Sequence, residues 1–401
     1  MPTTSLPPLH GLRVVEVGNF MAVPFCGMQL ADLGADVVKV ENPHGGDLTR
    51  ATGPFVAGES SNFVRLNRNK RSLALDLKAQ AGKDVFRRLA ARADVVIENL
   101  RPGTMRDLGL DEPVLRAGNP GLIYCAASGF GADGPYADRP GLDIIAQGMS
   151  GLMSITGEPG RPPVKVGVPI ADLTCGLYAT IAVLAALRAR ERDGRGQSID
   201  VSLLESAVSF AVWEAGRWFA TGEVPQPTGS AHQSIAPYQA VRAADGFFTF
   251  GANTQAHWLR VCEVFGVPAL ADDARFADNQ QRVAHRDALI AALEAVTVTR
   301  PVEDWIAALT QAGIPCGPIW SYDRVFTDPH LQQRGFFSDA PHPTLGAVRQ
   351  IGSPLRLSET PPRIERAGPL LGADSLAVLR ELGFADGELD ALAAAGVTVQ
   401  A

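Results

Sequence analysis

A strand, a helix and a second strand occupy the first 41 residues of the chain. Residues 12–17 (LRVVEV) and 36–41 (DVVKVE) are short apolar runs typical of buried strands. Between them, residues 25–33 have the spacing of an amphipathic helix, and Gly34 predicts its end. Because strands joined through a helix pair in parallel with a right-handed crossover, this opening predicts a parallel sheet covered by helices.

The same alternation continues along the chain and predicts an α/β fold. Further strands are expected within 71–78, 95–99, 121–131 and 197–204, with a helix at 81–93. We predict a large Rossmann-like domain at 1–225, a small α+β domain at 226–329, and a segment at 330–401 that returns to the large domain. The small domain is expected to contain a hairpin that turns at Asp245-Gly246. In the last segment we expect a strand in SPLRLSETPP and a helix pair from Ser375.

Composition excludes several classes of protein. The chain has 401 residues, a formal net charge of −7 and 20% charged residues. It therefore lacks the excess of positive charge that binding to nucleic acid or to an anionic membrane requires. Five scattered cysteines and seven dispersed histidines suggest neither a disulfide framework nor a metal site. No signal-peptide pattern is present, and the apolar helix at 173–187 is expected to be too short to cross a membrane. We therefore expect a cytoplasmic enzyme.

Asp172 is a carboxylate at the beginning of that apolar helix. It follows Gly167 and Pro169, and apolar residues recur after it at helical spacing. One interpretation is a helix cap, in which the side chain accepts hydrogen bonds from the first turn. The other is a nucleophile, which the helix dipole is expected to keep ionised near neutral pH. Gly176, one turn later, is expected to leave room for a ligand.

Two further patterns exclude common functional sites. Gly129, Gly131 and Gly134 form a GxGxxG after a strand, but the following PYADRPG cannot open the helix that a dinucleotide pyrophosphate needs. A Ser-His-Asp hydrolase is not supported either, since the chain lacks a GxSxG motif.

Long segments of the chain resemble the class III CoA-transferase family, which includes formyl-CoA transferase, carnitine CoA-transferases and alpha-methylacyl-CoA racemases. The segments are VVEVGNFMAVPFCGMQLADLGADVVKVE, NRNKRSLALDLK, ADVVIENLRPG, GLDIIAQGMSG, VPIADLTCGLYATIAVLAALRARERDGRGQSIDVSLLESAV and PLLGADSLAVLRELG. The resemblance implies a Rossmann-like large domain built from both chain ends, a small middle domain, and two interlocked subunits in a homodimer. It also implies acyl-CoA and a carboxylate as substrates, with no tightly bound cofactor.

The resemblance also implies roles for individual residues. Asp172 matches the nucleophile of the family, which forms an aspartyl anhydride and then an aspartyl-CoA thioester; Asp143 matches a nearby loop acid. Gly251 and the loop around Gly129 are positions that could stabilise oxyanions. The implied CoA contacts are Met21, Ala22, Leu75, Asp76, Leu77, Lys78, Asn99, Leu100, Arg101, Arg106 and Arg139. Any one of these basic residues could instead be a solvated surface charge.

Within the family, the segment from Gly229 resembles transferases that use succinyl-CoA with malate, citramalate, itaconate, mesaconate or glutarate. We expect His232, Gln233, Ser234 and Arg50 to hold the distal carboxylate of the acceptor; the alternative for His232 is a loop histidine at a domain junction. A racemase needs a histidine in a GHD motif, which here reads Gly141-Leu142-Asp143, and leucine cannot take a proton. A catalytically silent CoA-binding protein is the remaining alternative.

Overall fold

A computed structural model describes residues 6–401 and shows two compact units. Unit 1 consists of the chain up to Leu152, Lys165–Gly216 and His330–Ala401; unit 2 consists of Met153–Val164 and Arg217–Pro329. Residues 153–164 and 217–225, which the sequence places in the large domain, therefore group with unit 2. The assignment of domain roles stays a prediction.

The helices and strands follow in chain order. They are β1 (Arg13–Val17), α1 (Ala22–Asp32), β2 (Asp36–Glu41), β3 (Phe55–Val56), β4 (Glu59–Ser60), α2 (Ser61–Leu66), β5 (Arg71–Leu75), α3 (Gln80–Ala91), β6 (Val95–Glu98), α4 (Thr104–Leu108), α5 (Glu112–Gly118), β7 (Ile123–Ser128), α6 (Asp143–Met149), α7 (Leu152–Ile155), α8 (Ile170–Asp193), β8 (Ser198–Ser202), α9 (Leu203–Val208), α10 (Val212–Thr221), β9 (Tyr238–Arg242), β10 (Phe247–Gly251), α11 (Gln255–Val264), α12 (Asn279–Ala284), α13 (Arg286–Thr297), α14 (Val302–Gln311), β11 (Cys316–Pro318), α15 (Tyr322–Phe326), α16 (Pro329–Gln333), β12 (Phe337–His342), β13 (Gly346–Ile351), α17 (Ser375–Glu381), α18 (Asp386–Ala394) and β14 (Thr398–Val399).

A seven-stranded sheet forms the centre of unit 1, in the order β14-β5-β2-β1-β6-β7-β8. The six strands β5, β2, β1, β6, β7 and β8 pair in parallel with their neighbours in this order. Strand β14 pairs antiparallel with β5 at the edge of the sheet. The predicted α/β fold with a large parallel sheet is confirmed. The two-residue β14 was not predicted, because so short a strand leaves no alternating pattern in the sequence.

Alternate side chains of the strands pack into separate cores on the two faces of this sheet. Val14 and Val37 lie in one core with α1 and α8, whereas Val15 and Val38 lie in the other with α3, α17 and α18. Both faces are therefore covered, as a parallel sheet requires. This explains why the strands are continuous apolar runs.

Helix α8 extends beyond the apolar stretch at 173–187 in both directions and packs across one face of the sheet. Its 24 residues are long and apolar enough to cross a membrane, but half of the most apolar window is buried inside the protein. A Cβ added to Gly176 would lie 2.6 Å from the backbone oxygen of Ala22 in α1. Gly176 therefore permits close packing of two helices, and the expectation that it leaves room for a ligand is wrong.

The C-terminal segment departs from the prediction in one place. SPLRLSETPP contains no strand, and the strands of this region are instead β12 and β13, which form an antiparallel hairpin. Pro361 and Pro362 lack the N–H group that a sheet requires, which favours an irregular path there. The helix pair expected from Ser375 is confirmed as α17 and α18.

Unit 2 combines a three-stranded antiparallel sheet with a helical layer. Strand β10 pairs with β9 and with β11, and the predicted hairpin at Asp245-Gly246 is confirmed. Trp258, Phe265 and Trp305 lie in its buried core together with apolar residues of α13. The α+β character expected for the middle of the chain is thus observed.

Four charged side chains are fully buried beneath the loop that follows β1. The Lys39 ammonium lies 2.7 Å from Glu16 and 2.8 Å from Asp47, and the Lys70 ammonium lies 2.8 Å from Glu16. Burial lowers the pKa of Lys70 to about 8, against the attraction of Glu16. Asp47 also accepts a hydrogen bond from the backbone of Phe20, so this ionic cluster holds the loop in place.

Candidate functional site

A cavity of about 1350 Å³ lies in unit 1, at the carboxyl ends of β1, β6 and β7. Ligands of open parallel sheets bind at this edge, because the loops that follow the strands converge there. The loops contribute Asn19–Ala22, Asn99–Pro102 and Ala127–Gly129, and the start of α8 contributes Asp172 and Leu173. The cavity therefore joins the strand ends to the candidate carboxylate.

Asp172 is the third residue of α8, and its carboxylate receives no hydrogen bond from residues 6–401. Burial raises the pKa of Asp172 to about 7, and the nearby Asp143 carboxylate also acts to raise it. Desolvation and the like charge oppose the ionised form that the helix dipole was expected to favour, so the carboxyl group is only partly ionised near neutral pH.

Asp143, the first residue of α6, caps the helix that Asp172 was expected to cap. One oxygen of its carboxylate accepts hydrogen bonds from the backbone of Ala171, at 2.9 Å, and of Asp172, at 3.4 Å. These N–H groups belong to the first turn of α8, where helices lack internal partners. The cap interpretation of Asp172 is therefore wrong, because a carboxylate from another helix performs that function.

Two glycines bring Asp143 to this position. A Cβ added to Gly129 would lie 2.5 Å from the Cα atom of Gly141, and one added to Gly141 would lie 2.3 Å from the Cα atom of Gly129. The loop after β7 thus packs backbone to backbone against the turn before α6. Residues 129–142 contain no helix, in agreement with the rejection of a dinucleotide motif here.

Eight of the site residues expected from the sequence line the cavity. They are Met21, Ala22, Asn99, Leu100, Arg101, Arg139, Asp143 and Asp172. Asn99 connects the ends of β1 and β6. Its side-chain amide accepts from the backbone N–H of Asn19 and donates to the Asn19 carbonyl, both at 2.9 Å. The loops after β1 and β6 are therefore fixed to each other at the cavity wall.

The other predicted residues of unit 1 are not among the lining residues. Leu75, Asp76, Leu77, Lys78 and Arg106 lie at or after β5 and in α4. Arg50 donates to both oxygens of Glu41, at 2.7 and 2.8 Å, and its guanidinium lies 3.6 Å from the centre of the Phe63 ring. An internal ion pair therefore occupies the Arg50 side chain that was expected to hold an acceptor.

The remaining predicted residues belong to unit 2. Gly251 ends β10, and His232, Gln233 and Ser234 precede β9. The imidazole of His232 stacks on Tyr238 with 5.1 Å between ring centres, and its Nδ1 accepts from the backbone of Ser234 at 3.1 Å. The loop containing His232 is thus held by local contacts. The binding roles of these four residues stay predictions.

Phe20, Lys165 and Arg65 are among the lining residues that were not expected as individual site residues. Phe20 has a left-handed backbone with φ of 60°, and its half-exposed ring lines the cavity. Lys165 lines the cavity from the segment that leads into α8, and Arg65 lines it from α2. The spacing of Lys165, seven residues before Asp172, is the one sequence signal that could have suggested its position. Phe20 gives no such signal, because backbone strain at a non-glycine residue is not encoded by a local pattern.

The chemistry available at this cavity is that of carboxylates, amides and cations. Within residues 6–401, no three His, Cys, Asp or Glu side chains gather in a way that could hold a metal ion. Arg101, Arg139 and Lys165 supply positive charge, and Asp172 supplies a carboxylate whose pKa is raised to about 7. This set suits transfer of an acyl group carried by an anionic molecule.

Known proteins similar to this chain are CoA-transferases and CAIB/BAIF family proteins. The family described as CoA-transferase family III matches residues 9–375. A succinate–glutarate CoA-transferase of Agrobacterium fabrum is 43% identical over 94% of this chain and 96% of its own length. A succinyl-CoA–D-citramalate CoA-transferase of Chloroflexus aurantiacus is 36% identical over 96% and 97%. The crystal structure of a CAIB/BAIF family protein from Brucella suis has a TM-score of 0.86 and 41% identity, covering 94% of this chain and 100% of that one.

The raised pKa of Asp172 predicts how stability depends on pH. Because its pKa is about 7 in the folded protein and about 4 in the unfolded chain, the protein loses stability as pH rises from about 4 to about 7. Asp172→Asn removes this loss, so it should raise the free energy of unfolding at about pH 8 by roughly 2–4 kcal/mol and much less at about pH 4. Denaturant unfolding at both pH values measures the difference.

Asp193→Asn is the control, since Asp193 is an exposed residue of the same helix. Its effect on the free energy of unfolding should be small and similar at both pH values. An Asp172→Asn protein whose stability relative to wild type does not change with pH would contradict the raised pKa.

Proposed function

Because this chain belongs to CoA-transferase family III, we propose that it moves CoA from succinyl-CoA to a small dicarboxylate, with Asp172 as the nucleophile. The observation that carries the proposal is the position of Asp172. It is a half-buried carboxylate at a helix start that lines a large cavity, and the hydrogen bonds of that helix start go to Asp143 instead. Its oxygens are therefore available to a substrate.

The proposed reaction begins with attack of the Asp172 carboxylate on the thioester carbonyl of succinyl-CoA. The C–S bond breaks, CoA leaves as a thiolate, and a mixed anhydride joins the succinyl group to Asp172. The thiolate then attacks the Asp172 carbonyl, succinate leaves, and an aspartyl-CoA thioester remains. Splitting the transfer in this way replaces one difficult exchange by steps through activated acyl groups.

The second half of the reaction reverses this sequence with the acceptor. A carboxylate of the acceptor attacks the aspartyl thioester, expelling CoA thiolate and forming a second anhydride. The thiolate attacks the acceptor carbonyl of that anhydride, which yields the new acyl-CoA and restores the Asp172 carboxylate. No net proton is consumed, so the reaction needs no separate general acid.

The pKa of Asp172 suits both halves of this cycle. A carboxylate whose pKa is raised to about 7 by burial and by Asp143 is a stronger base than an exposed aspartate, and about half of it is ionised near neutral pH. Backbone N–H groups of the loop around Gly129 are candidates to stabilise the oxyanions, and Gly251 is a second candidate.

The strand-end loops are the proposed binding site of CoA. Met21, Ala22, Asn99 and Leu100 line the cavity wall, and Arg101 and Arg139 supply the charge that phosphate groups require. Lys78 and Arg106 are further candidates from the resemblance. Coenzyme A enters as part of the substrate, and we propose no tightly bound cofactor.

The acceptor is proposed from the chemistry of a second carboxylate. Of the two CoA-transferase relatives described above, one is named for succinate and glutarate and the other for succinyl-CoA and D-citramalate. We propose glutarate, citramalate, mesaconate, itaconate and malate as acceptors, with His232, Gln233 and Ser234 holding the distal carboxylate. Arg50 has the least structural support for this role, because its guanidinium already donates to both oxygens of Glu41.

We also propose that the protein is a cytoplasmic homodimer with interlocked subunits. Large apolar side chains of unit 1 are exposed in the single chain, including Ile181, Val212 and Trp213. Exposed groups of this kind are typical of surfaces that a partner covers.

A transfer assay with matched variants tests the proposed function. Wild type incubated with succinyl-CoA should form the acyl-CoA of at least one of the five dicarboxylates, and Asp172→Ala should lower kcat at least about 1000-fold. Asp193→Asn should retain wild-type activity, since that residue lies at the far end of α8. Liquid chromatography of the CoA esters measures both rates. Substantial activity in Asp172→Ala would rule out the proposed nucleophile.

The proposed acceptor site predicts a selective change in KM. His232→Ala should raise KM for glutarate about tenfold or more, because a hydrogen bond to a charged carboxylate is lost. The KM for pentanoate, which has the same carbon chain and one carboxylate, should change little. Steady-state kinetics with both acceptors measures the contrast, and equal changes for the two would eliminate this role of His232.

A further inference from the structure

A buried glutamine connects Asp143 to the segment that leads into α8. Gln147 lies one turn after Asp143 on α6, and its side chain is fully buried. Its amide nitrogen donates to the second oxygen of Asp143 at 2.7 Å, and its amide oxygen accepts from the backbone of Val166 at 2.9 Å. The side chain is not among those that line the cavity, so it has no contact with a substrate there.

The two oxygens of Asp143 are thus divided between two partners. One accepts from the first N–H groups of α8, and the other accepts from Gln147. A carboxylate that rotated toward Asp172 would lose both sets of hydrogen bonds. Gln147 therefore fixes the orientation in which the Asp143 carboxylate accepts hydrogen bonds from the start of α8. In this orientation Asp143 does not bond to the Asp172 carboxylate, which receives no hydrogen bond from residues 6–401.

We propose that Gln147 is a positioning residue of the transfer reaction, which holds Asp143 on the start of α8 and so keeps the Asp172 carboxylate available as the nucleophile. This inference rests on the proposed function of Asp172. It extends that function, because it identifies the group that keeps the structural role of Asp143 distinct from the proposed reactive role of Asp172.

The role requires one donor and one acceptor in the same side chain. A carboxamide supplies an N–H group for Asp143 and an oxygen for Val166. A protonated glutamic acid would supply the same pair, whereas an ionised glutamate has acceptors only and would repel Asp143. Gln147→Glu is therefore a substitution whose effect depends on pH, with little change in side-chain volume.

The charged groups around Gln147 determine the direction of this dependence. Asp143 lies on its own helix, Lys165 on the segment that leads into α8, Asp172 on α8 and Glu205 on α9. Glu205 is paired with Ser202 at 2.6 Å. Since the carboxylates of Asp143 and Asp172 disfavour a further negative charge, the carboxyl group introduced by Gln147→Glu should stay protonated to a higher pH than that of an exposed glutamate.

The test compares kcat and KM between about pH 6 and about pH 8.5 for wild type and four variants. Gln147→Glu should lower kcat about 100-fold relative to wild type at about pH 8.5, as expected for a misplaced reacting group. At about pH 6 the ratio of its kcat to that of wild type should be at least about tenfold higher than at about pH 8.5. KM for succinyl-CoA should change little. Gln147→Leu, which lacks both hydrogen bonds, should lower kcat without recovery at low pH.

A double variant tests the pairing directly and guards against a Gln147→Glu protein that does not fold. In Asp143→Asn/Gln147→Glu, the nitrogen of the new amide can donate to the new carboxylate when that group is ionised, while the amide oxygen accepts from α8. Activity at alkaline pH should therefore exceed that of Gln147→Glu alone. Gln350→Glu is the matched control, because Gln350 is also fully buried in unit 1. Its kcat should keep the pH dependence of wild type.

The outcomes separate this inference from the proposed function. A wild-type protein without transfer activity would overturn both. An active wild type, with Gln147→Glu losing the same fraction of kcat at every pH and no rescue in the double variant, would overturn the positioning role alone.

Discussion

The hydrogen bonds from the first turn of α8 to Asp143 are the interaction on which the site depends. A helix start has free N–H groups, and a nearby carboxylate satisfies them at little cost. Here that carboxylate comes from α6, at 2.9 Å from the Ala171 nitrogen, and not from Asp172 in the helix itself. The division leaves Asp172 half-buried near a like charge, and desolvation together with the Asp143 carboxylate raises its pKa to about 7. The carboxylate of Asp143 thus has a structural role, and that of Asp172 is left to the cavity.

The rest of unit 1 maintains this division. Gly129 and Gly141 allow two loops to pack backbone to backbone, which places the start of α6 against the start of α8. The buried ions Glu16, Lys39 and Asp47 hold the loop after β1, which forms another wall of the cavity. Each of these charges would be costly to bury alone, and each is compensated by the others. The ion pairs therefore fix the loop after β1 to the neighbouring strands β1 and β2.

Much of the fold could be predicted from the sequence, because its strands and helices have strong periodic patterns. Residues 36–41 form a strand with the predicted bounds, and the Gly-Pro approach to Asp172 correctly indicated a helix start. The failures involve partners distant in the sequence. The cap on α8 comes from Asp143, the neighbour of Gly176 is Ala22 in α1, and the pKa of Asp172 depends on burial in the folded chain. No local pattern records such contacts, whereas the family resemblance indicated Asp172 without them.

The central claim is that the Asp172 carboxylate becomes acylated. Mass spectrometry of the intact protein after incubation with succinyl-CoA, with hydroxylamine to trap activated acyl groups, tests it most directly. We expect a mass change in wild type that peptide mapping assigns to Asp172, and no such change in Asp172→Ala. A protein that exchanges CoA between carboxylates without modification of Asp172, or an adduct that persists in Asp172→Ala, would contradict it.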